Sequence, residues 1–257
     1  MKLNYQIFGE GRPIIVLHGL FGSARNWQGI AKIMAKEFQV IAVDLRNHGQ
    51  SPHLDGMTYA EMANDIQLLI DSLRIKHPVV IGHSMGGKVA MTMALSTKDL
   101  LSGLIIVDIA PVTYQHDFSQ YIKAMQALPL EKITSRQIAE QTLLKSINSK
   151  TLTAFVMQNL VRTQNGFKWR INLSEIAKYL TDIIGFPDNL PLSKNRVPSL
   201  FIGGANSDYI DSKYNQVIFE YFPSAEIKMI ESAGHWVQAD KPSEFLQESM
   251  SFIRCVT

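Results

Sequence analysis

The chain has 257 residues, 46% of them hydrophobic and 19% charged, with 25 basic and 23 acidic side chains and a net charge of +2. A chain of that size buries a sizeable core as one large domain or two small ones, without disulfides or a structural metal. The near-balanced charge, with no Lys/Arg block longer than two residues, excludes nucleic-acid binding as a main role. Residues 3–8 alternate as an edge strand does, and Gly9-Glu10-Gly11-Arg12-Pro13 is turn chemistry. Short continuous apolar runs at 14–17, 39–43, 78–81 and 104–107 are what strands buried on both faces require. Between them, Tyr59, Met62, Ile66, Leu69, Ile70 and Leu73 recur at helical spacing, and Thr58 with Glu61 forms a capping box at the start. Residues 87–96 predict a small-residue helix able to pack closely on a sheet.

The alternation predicts a mostly parallel sheet flanked by helices, and it breaks after Asp108. Residues 112–196 read as an inserted helical cap. A second capping box is expected at Thr134 and Gln137, one helix around Phe155, Met157, Leu160 and Val161, and another over 173–184. Pro187, Pro191 and Pro198 then punctuate the chain. Strand patterns resume at 199–202 and 227–230, and a last helix covers 242–253. Two segments, 1–111 and 197–257, thus form the core around the cap. Such insertions sit over the C-terminal edge of a parallel sheet, where ligands bind.

Cys255 is the single cysteine, so no internal disulfide and no cysteine-based zinc site is expected. Residues 1–6 carry no signal-peptide h-region, and the apolar runs fall far short of the roughly 18–20 residues of a membrane span. A cytoplasmic protein without membrane insertion is the expectation.

The sharpest chemical signal is Val79-Val80-Ile81-Gly82-His83-Ser84-Met85-Gly86-Gly87-Lys88, an apolar strand, a G-x-S-x-G turn and a helix. This is the pattern of a nucleophile elbow, in which glycines allow a sharp turn that projects the serine. The amide of Met85, at a helix N-terminus, faces the same space and suits an oxyanion. Gly82 to Lys88 also matches the G-x-x-x-x-G-K of a P-loop, with 104–108 as a Walker-B-like strand, but Val89 stands where a P-loop needs Ser or Thr. Of the seven histidines, His235, in the loop after the last strand, is placed best as general base. His18-Gly19-Leu20 follows the first central strand and supplies a second oxyanion donor in the Leu20 amide. Asp108 and Asp208 both end strands at that edge, and either could orient the histidine.

Together, His18-Gly19, the string from Asp44 to Ser51, the elbow at Ser84 and Gly234-His235 resemble, in order, the α/β-hydrolase superfamily over nearly the whole chain. Arg46-Asn47-His48-Gly49-Gln50-Ser51-Pro52, Val107-Asp108-Ile109-Ala110-Pro111-Val112 and Gly234-His235-Trp236-Val237 resemble the YbfF-type bacterial esterases more narrowly. The superfamily at large places its acid after the penultimate strand, which favours Asp208; the YbfF-type group places it after the strand following the elbow, which favours Asp108. The resemblance implies an α/β-hydrolase fold and a serine hydrolase acting without cofactor or metal on a small-molecule ester, with acyl-CoA thioesters as an alternative. Its nucleophile would be Ser84, its base His235 and its acid Asp108, with Asp208 as the alternative acid. Asp44 and Arg46 would stabilise loops. Haloalkane dehalogenases and epoxide hydrolases are excluded by the serine, since they need a carboxylate there. A non-catalytic ligand-binding protein on the same fold is the competing reading. Phe21, His83, Tyr121, Met125, Phe155, Trp169 and Trp236 are the candidate pocket residues, and several basic residues in 112–196 suit a phosphate-bearing substrate. The sequence gives no indication of oligomeric state.

Overall fold

The computed structural model describes residues 2–97, 99–188, 190 and 197–256. In chain order the elements are β1 (Tyr5–Phe8), β2 (Pro13–Leu17), α1 (Gln28–Met34), β3 (Gln39–Val43), α2 (Tyr59–Leu73), β4 (Val79–His83), α3 (Met85–Ser96) and β5 (Gly103–Val107). After these come α4 (Ser119–Gln126), α5 (Arg136–Ile147), α6 (Lys150–Met157), β6 (Leu160–Thr163), β7 (Gly166–Trp169), α7 (Leu173–Lys178) and α8 (Leu180–Ile184). The chain closes with β8 (Ser199–Gly204), α9 (Asn215–Tyr221), β9 (Ala225–Ile230), α10 (Val237–Asp240) and α11 (Pro242–Val256).

Among the described residues the main sheet has seven strands in the order β1-β3-β2-β4-β5-β8-β9. Only the edge pair β1–β3 is antiparallel. This is the mostly parallel, helix-flanked sheet that the alternating pattern predicts, and it agrees with the α/β-hydrolase fold that the resemblance implies. Because side chains alternate across a strand, each continuous apolar run feeds two cores. Ile15, Leu17, Ile41, Val80, Leu104 and Ile106 join the helices α2 and α3 on one face. Ile14, Val16, Val40, Ile81, Ile105 and Val107 join α1 and α11 on the other. Six of the strands run parallel, so the ends of β2, β4, β5, β8 and β9 deliver their following loops to the same edge.

Thr58 caps α2 as expected, its side chain accepting from the Glu61 amide. In the inserted region the sequence expectations need three corrections. The helix α5 is capped by Ser135, whose Oγ accepts from the Ile138 amide at 3.3 Å, one residue after the expected Thr134. Leu160 and Val161 are not helical; they open β6, which pairs with β7 in a hairpin whose turn precedes Gly166. The signal was the Asn165-Gly166 dipeptide, a hairpin cue that the apolar spacing masked. The single helix expected over 173–184 is two, α7 and α8, interrupted at Tyr179, whose φ of −100° and ψ of 16° leave the helical well. Pro191 and the boundary drawn at 196 lie outside the described residues. No helix among the described residues is long and apolar enough to cross a membrane.

Candidate active site

β4 ends at His83, and Ser84 stands between it and α3 with φ 52° and ψ −119°. A non-glycine residue at positive φ is strained, and here the strain lifts the serine out of the chain's path. The turn is possible because its flanking glycines meet backbone directly: a Cβ on Gly82 would lie 2.3 Å from the Gly86 carbonyl oxygen, and one on Gly86 2.6 Å from those of His18 and Leu17. The next turn of chain, from β2, comes equally close. A Cβ on Gly19 would sit 3.0 Å from His83 Nδ1 and 3.1 Å from Ser84 Cβ, so that loop packs directly against the elbow.

Asp108 follows β5, is fully buried and also has positive φ, at 49°. His235 Nδ1 donates to Asp108 Oδ2 at 2.7 Å. The carboxylate is otherwise occupied by the Gly204 amide at 3.0 Å and the Ser207 hydroxyl at 2.5 Å, so its orientation is fixed by the loop after β8. The imidazole of His235 lies between Tyr209, stacked at 4.0 Å between centroids, and His83, at 4.7 Å. With Nδ1 committed, Nε2 is the nitrogen left to exchange a proton with a substrate or nucleophile. Asp208, the other candidate acid, is 72% exposed and lies 3.6 Å from His116 instead.

The loop bearing Leu20 is pinned by two buried neutral histidines. His18 Nε2 accepts from the Leu45 amide at 3.0 Å, and His48 Nε2 accepts from the Phe21 amide at 3.2 Å. Their Nδ1 atoms donate to the carbonyls of Gly19 and Arg46. Burial lowers the pKa of His18, and burial together with the neighbouring His18 lowers that of His48 to about 3. His83 is likewise lowered to about 3, chiefly by burial, and its Nε2 donates to the His235 carbonyl at 2.8 Å. Asp44 accepts from Ala24 N, Gln50 N and Asn4 Nδ2, and Arg46 clasps Asp65 through two bonds of 2.5 and 2.8 Å. Both therefore spend their hydrogen bonds on holding loops.

Ser84 borders two small voids under the inserted region, of about 30 and 50 Å³. Leu20, Met85, Phe118, Tyr209, Tyr114 and Lys88 are among the residues that line the first. Leu20, Phe21, His83, Phe155, His235 and Trp236 line the second. Of the predicted pocket residues, Phe21, His83, Phe155 and Trp236 therefore meet at the serine. Tyr121, Met125 and Trp169 do not reach these voids: Tyr121 packs on Phe118, and Trp169 Nε1 donates to the Met125 carbonyl within the inserted region's own core. Tyr114, His116 and Tyr209 also line the first void, although nothing in their local spacing marks them; only tertiary packing brings them together.

Lys88, the residue a P-loop would aim at phosphates, is 1% exposed and donates to the carbonyls of Ile184 and Gly185 at 2.7 and 2.5 Å. It is a tether between α3 and the inserted region, and the turn before it is no phosphate cradle. Among the described residues there is no cluster of His, Cys, Asp or Glu that could hold a metal ion.

Comparison with known proteins bears on the fold and the family. Residues 12–242 match the family described as alpha/beta hydrolase fold. The chain is 40% identical to the sn-1-specific diacylglycerol lipase ABHD11 of Danio rerio over 99% of its own length and 83% of the relative's. It is 34% identical to Esterase YbfF of Escherichia coli, covering 96% of this chain and 97% of that one. A solved structure titled "Marine microorganism esterase" superposes with a TM-score of 0.94 at 36% identity, over 98% of this chain and 99% of that one.

Proposed function

The chain belongs to the α/β-hydrolase family and is an ester hydrolase, and from that premise we propose that it cleaves carboxylic esters through an acyl-enzyme formed on Ser84. The observation that carries the reading is the 2.7 Å bond from His235 to buried Asp108, in a loop that shares a void with the serine on its strained turn. In this mechanism His235 Nε2 takes the proton of Ser84 as Oγ attacks the acyl carbonyl. Asp108 holds the imidazole in the required tautomer and stabilises the imidazolium that forms. The amides of Leu20 and Met85 receive the developing oxyanion, each worth about 3–4 kcal/mol in the transition state. His235 returns the proton to the leaving alkoxide, then activates the water that releases the acid. The same attack cleaves thioesters, so acyl-CoA substrates fall within the proposal. Exposed, unpaired Cys255 suits a reducing, cytoplasmic setting.

The test is hydrolysis of p-nitrophenyl butyrate by the purified protein, with and without a fluorophosphonate, beside Ser84→Ala. The variant is expected to lose roughly 10⁴–10⁶-fold in kcat and all labelling. Absence of both turnover and labelling in the unaltered protein would overturn the proposal in favour of a non-catalytic ligand-binding role.

A further inference from the structure

A cavity far larger than the voids at the serine lies elsewhere on the molecule. A cleft of about 610 Å³ opens between the inserted region and the short turn at Ala24–Trp27, bordered by Arg25, Arg136, Arg162 and Arg170. Among the described residues its lining contains no carboxylate. None of the four guanidinium groups has a carboxylate partner among the described residues.

The arginines come from separate elements. Arg25 belongs to the core, Arg136 opens α5, Arg162 is on β6, and Arg170 directly follows β7. Arg136 is pre-set by two backbone acceptors, the carbonyls of Leu160 at 2.5 Å and Met157 at 2.8 Å. These bonds orient its charge without neutralising it. Four cations around one concavity repel one another, and an anion relieves that repulsion. The planar guanidinium fork matches phosphate oxygens in pairs, which ammonium groups do not. The volume falls within the range of small-ligand sites, and the net charge of the chain is too small for a polyanion surface.

The cleft adjoins the proposed reaction site. Ser23 lines the cleft and Phe21 lines the void at Ser84. Two residues of chain span at most about 7 Å. The same segment is stitched to the inserted region at adjacent positions, Asn26 Nδ2 to Gln158 Oε1 at 2.8 Å and Asn159 Nδ2 to the Phe21 carbonyl at 2.8 Å.

We propose that this arginine cleft binds the phosphoryl group of a small molecule beside the ester site. That the group is carried on the acyl substrate itself rests on the esterase reading above; that it is bound at all does not.

Two arms test this on the full chain. In the first, pyrophosphate is titrated calorimetrically into Ser84→Ala and into Ser84→Ala carrying Arg162→Gln and Arg170→Gln. Saturable one-to-one binding that weakens at least ten-fold in the arginine variant is expected, with Arg25→Gln as an independent substitution on the core side and thermal unfolding as the check on folding. No binding below millimolar pyrophosphate, or equal binding by the variants, overturns the site. In the second, kcat/KM is compared for 1-butyrylglycerol 3-phosphate and 1-butyrylglycerol. A preference for the phosphorylated ester that falls at least ten-fold with the two arginines places the phosphate on the substrate. A preference indifferent to them overturns that placement and, with the first arm intact, leaves the cleft to a separate phosphate ligand. A protein that hydrolyses neither ester fails the esterase reading alone, since the pyrophosphate arm needs no turnover.

Discussion

His235 had two aspartates in reach on paper, and the difference between them is one of surroundings. Asp108 is fully buried with three donors on its two oxygens, from His235, Gly204 and Ser207. Burying a carboxylate so completely is costly unless every oxygen is bonded, and a carboxylate so bonded cannot turn away from the imidazole. Asp208 projects into solvent beside His116. Asp108→Asn is accordingly expected to lower kcat by roughly 10³–10⁴-fold, because an amide favours the wrong imidazole tautomer. Asp208→Asn should stay within about two-fold, as exposed substitutions usually do. Steady-state kinetics on p-nitrophenyl butyrate separates them, and the reverse ranking would assign the acid to Asp208. The sequence put both residues at the correct sheet edge; it could not show Gly204 and Ser207 closing on one of them, since those contacts span 96 and 99 residues.

At the scale of elements, the loop between β2 and α1 holds Leu20 by contacts from both halves of the molecule. The core contributes His18 and His48; the inserted region contributes Asn159, which is 3% exposed and donates to the Phe21 carbonyl, where φ is 61°. Asn159→Ala leaves that buried carbonyl without its donor, at a cost of about 1–3 kcal/mol. If the bond also sets the position of the Leu20 amide, kcat should drop roughly ten-fold or more while KM changes little, since small misplacements of a transition-state donor are expensive. Urea unfolding and kinetics run together discriminate the roles: lost stability with unchanged kcat would make Asn159 purely structural. This contact lay beyond sequence reading for the same reason as the hairpin that follows it. Strands β2, β4 and β5 announce themselves as unbroken apolar runs, because both faces are covered. Strands β6 and β7 have burial that is only partial and irregular, so their apolar residues mimic helical spacing. The elbow was legible because Gly82 answers to a backbone collision only four residues away, at Gly86; the void at the serine was legible only in part, because its walls come from six separate stretches of chain.

Across the whole molecule, core and inserted region are joined at α8, where three carbonyls in succession accept from the core. Tyr59 Oη donates to Ile183 at 2.5 Å, and Lys88 Nζ donates to Ile184 and Gly185. Lys88 lies 4.9 Å from the Tyr114 ring centroid and has no carboxylate partner among the described residues, so burial lowers its pKa from 10.5 to about 7. In the unfolded chain the same lysine holds its proton to about 10.5. Between those values the unfolded state binds a proton that the folded state has released, so stability rises as pH goes from about 7 to about 10.5. Below about 7 both states are protonated, and the folded state bears the cost of a desolvated cation. Lys88→Met keeps most of the buried volume and removes the titration. The unfolding free energy of the unaltered protein, read from urea denaturation, should therefore gain on that of the variant as pH is raised from 7 to 9, by a few kcal/mol at most. Other titrating groups are common to both proteins and cancel in the difference. A difference that stays flat over this range would mean that Lys88 keeps its proton in the fold, held as an ammonium by the two carbonyls and the face of Tyr114. The junction would then be a charged clamp, insensitive to pH near neutrality, and the inserted region would be bound to the core as firmly at pH 7 as at pH 9.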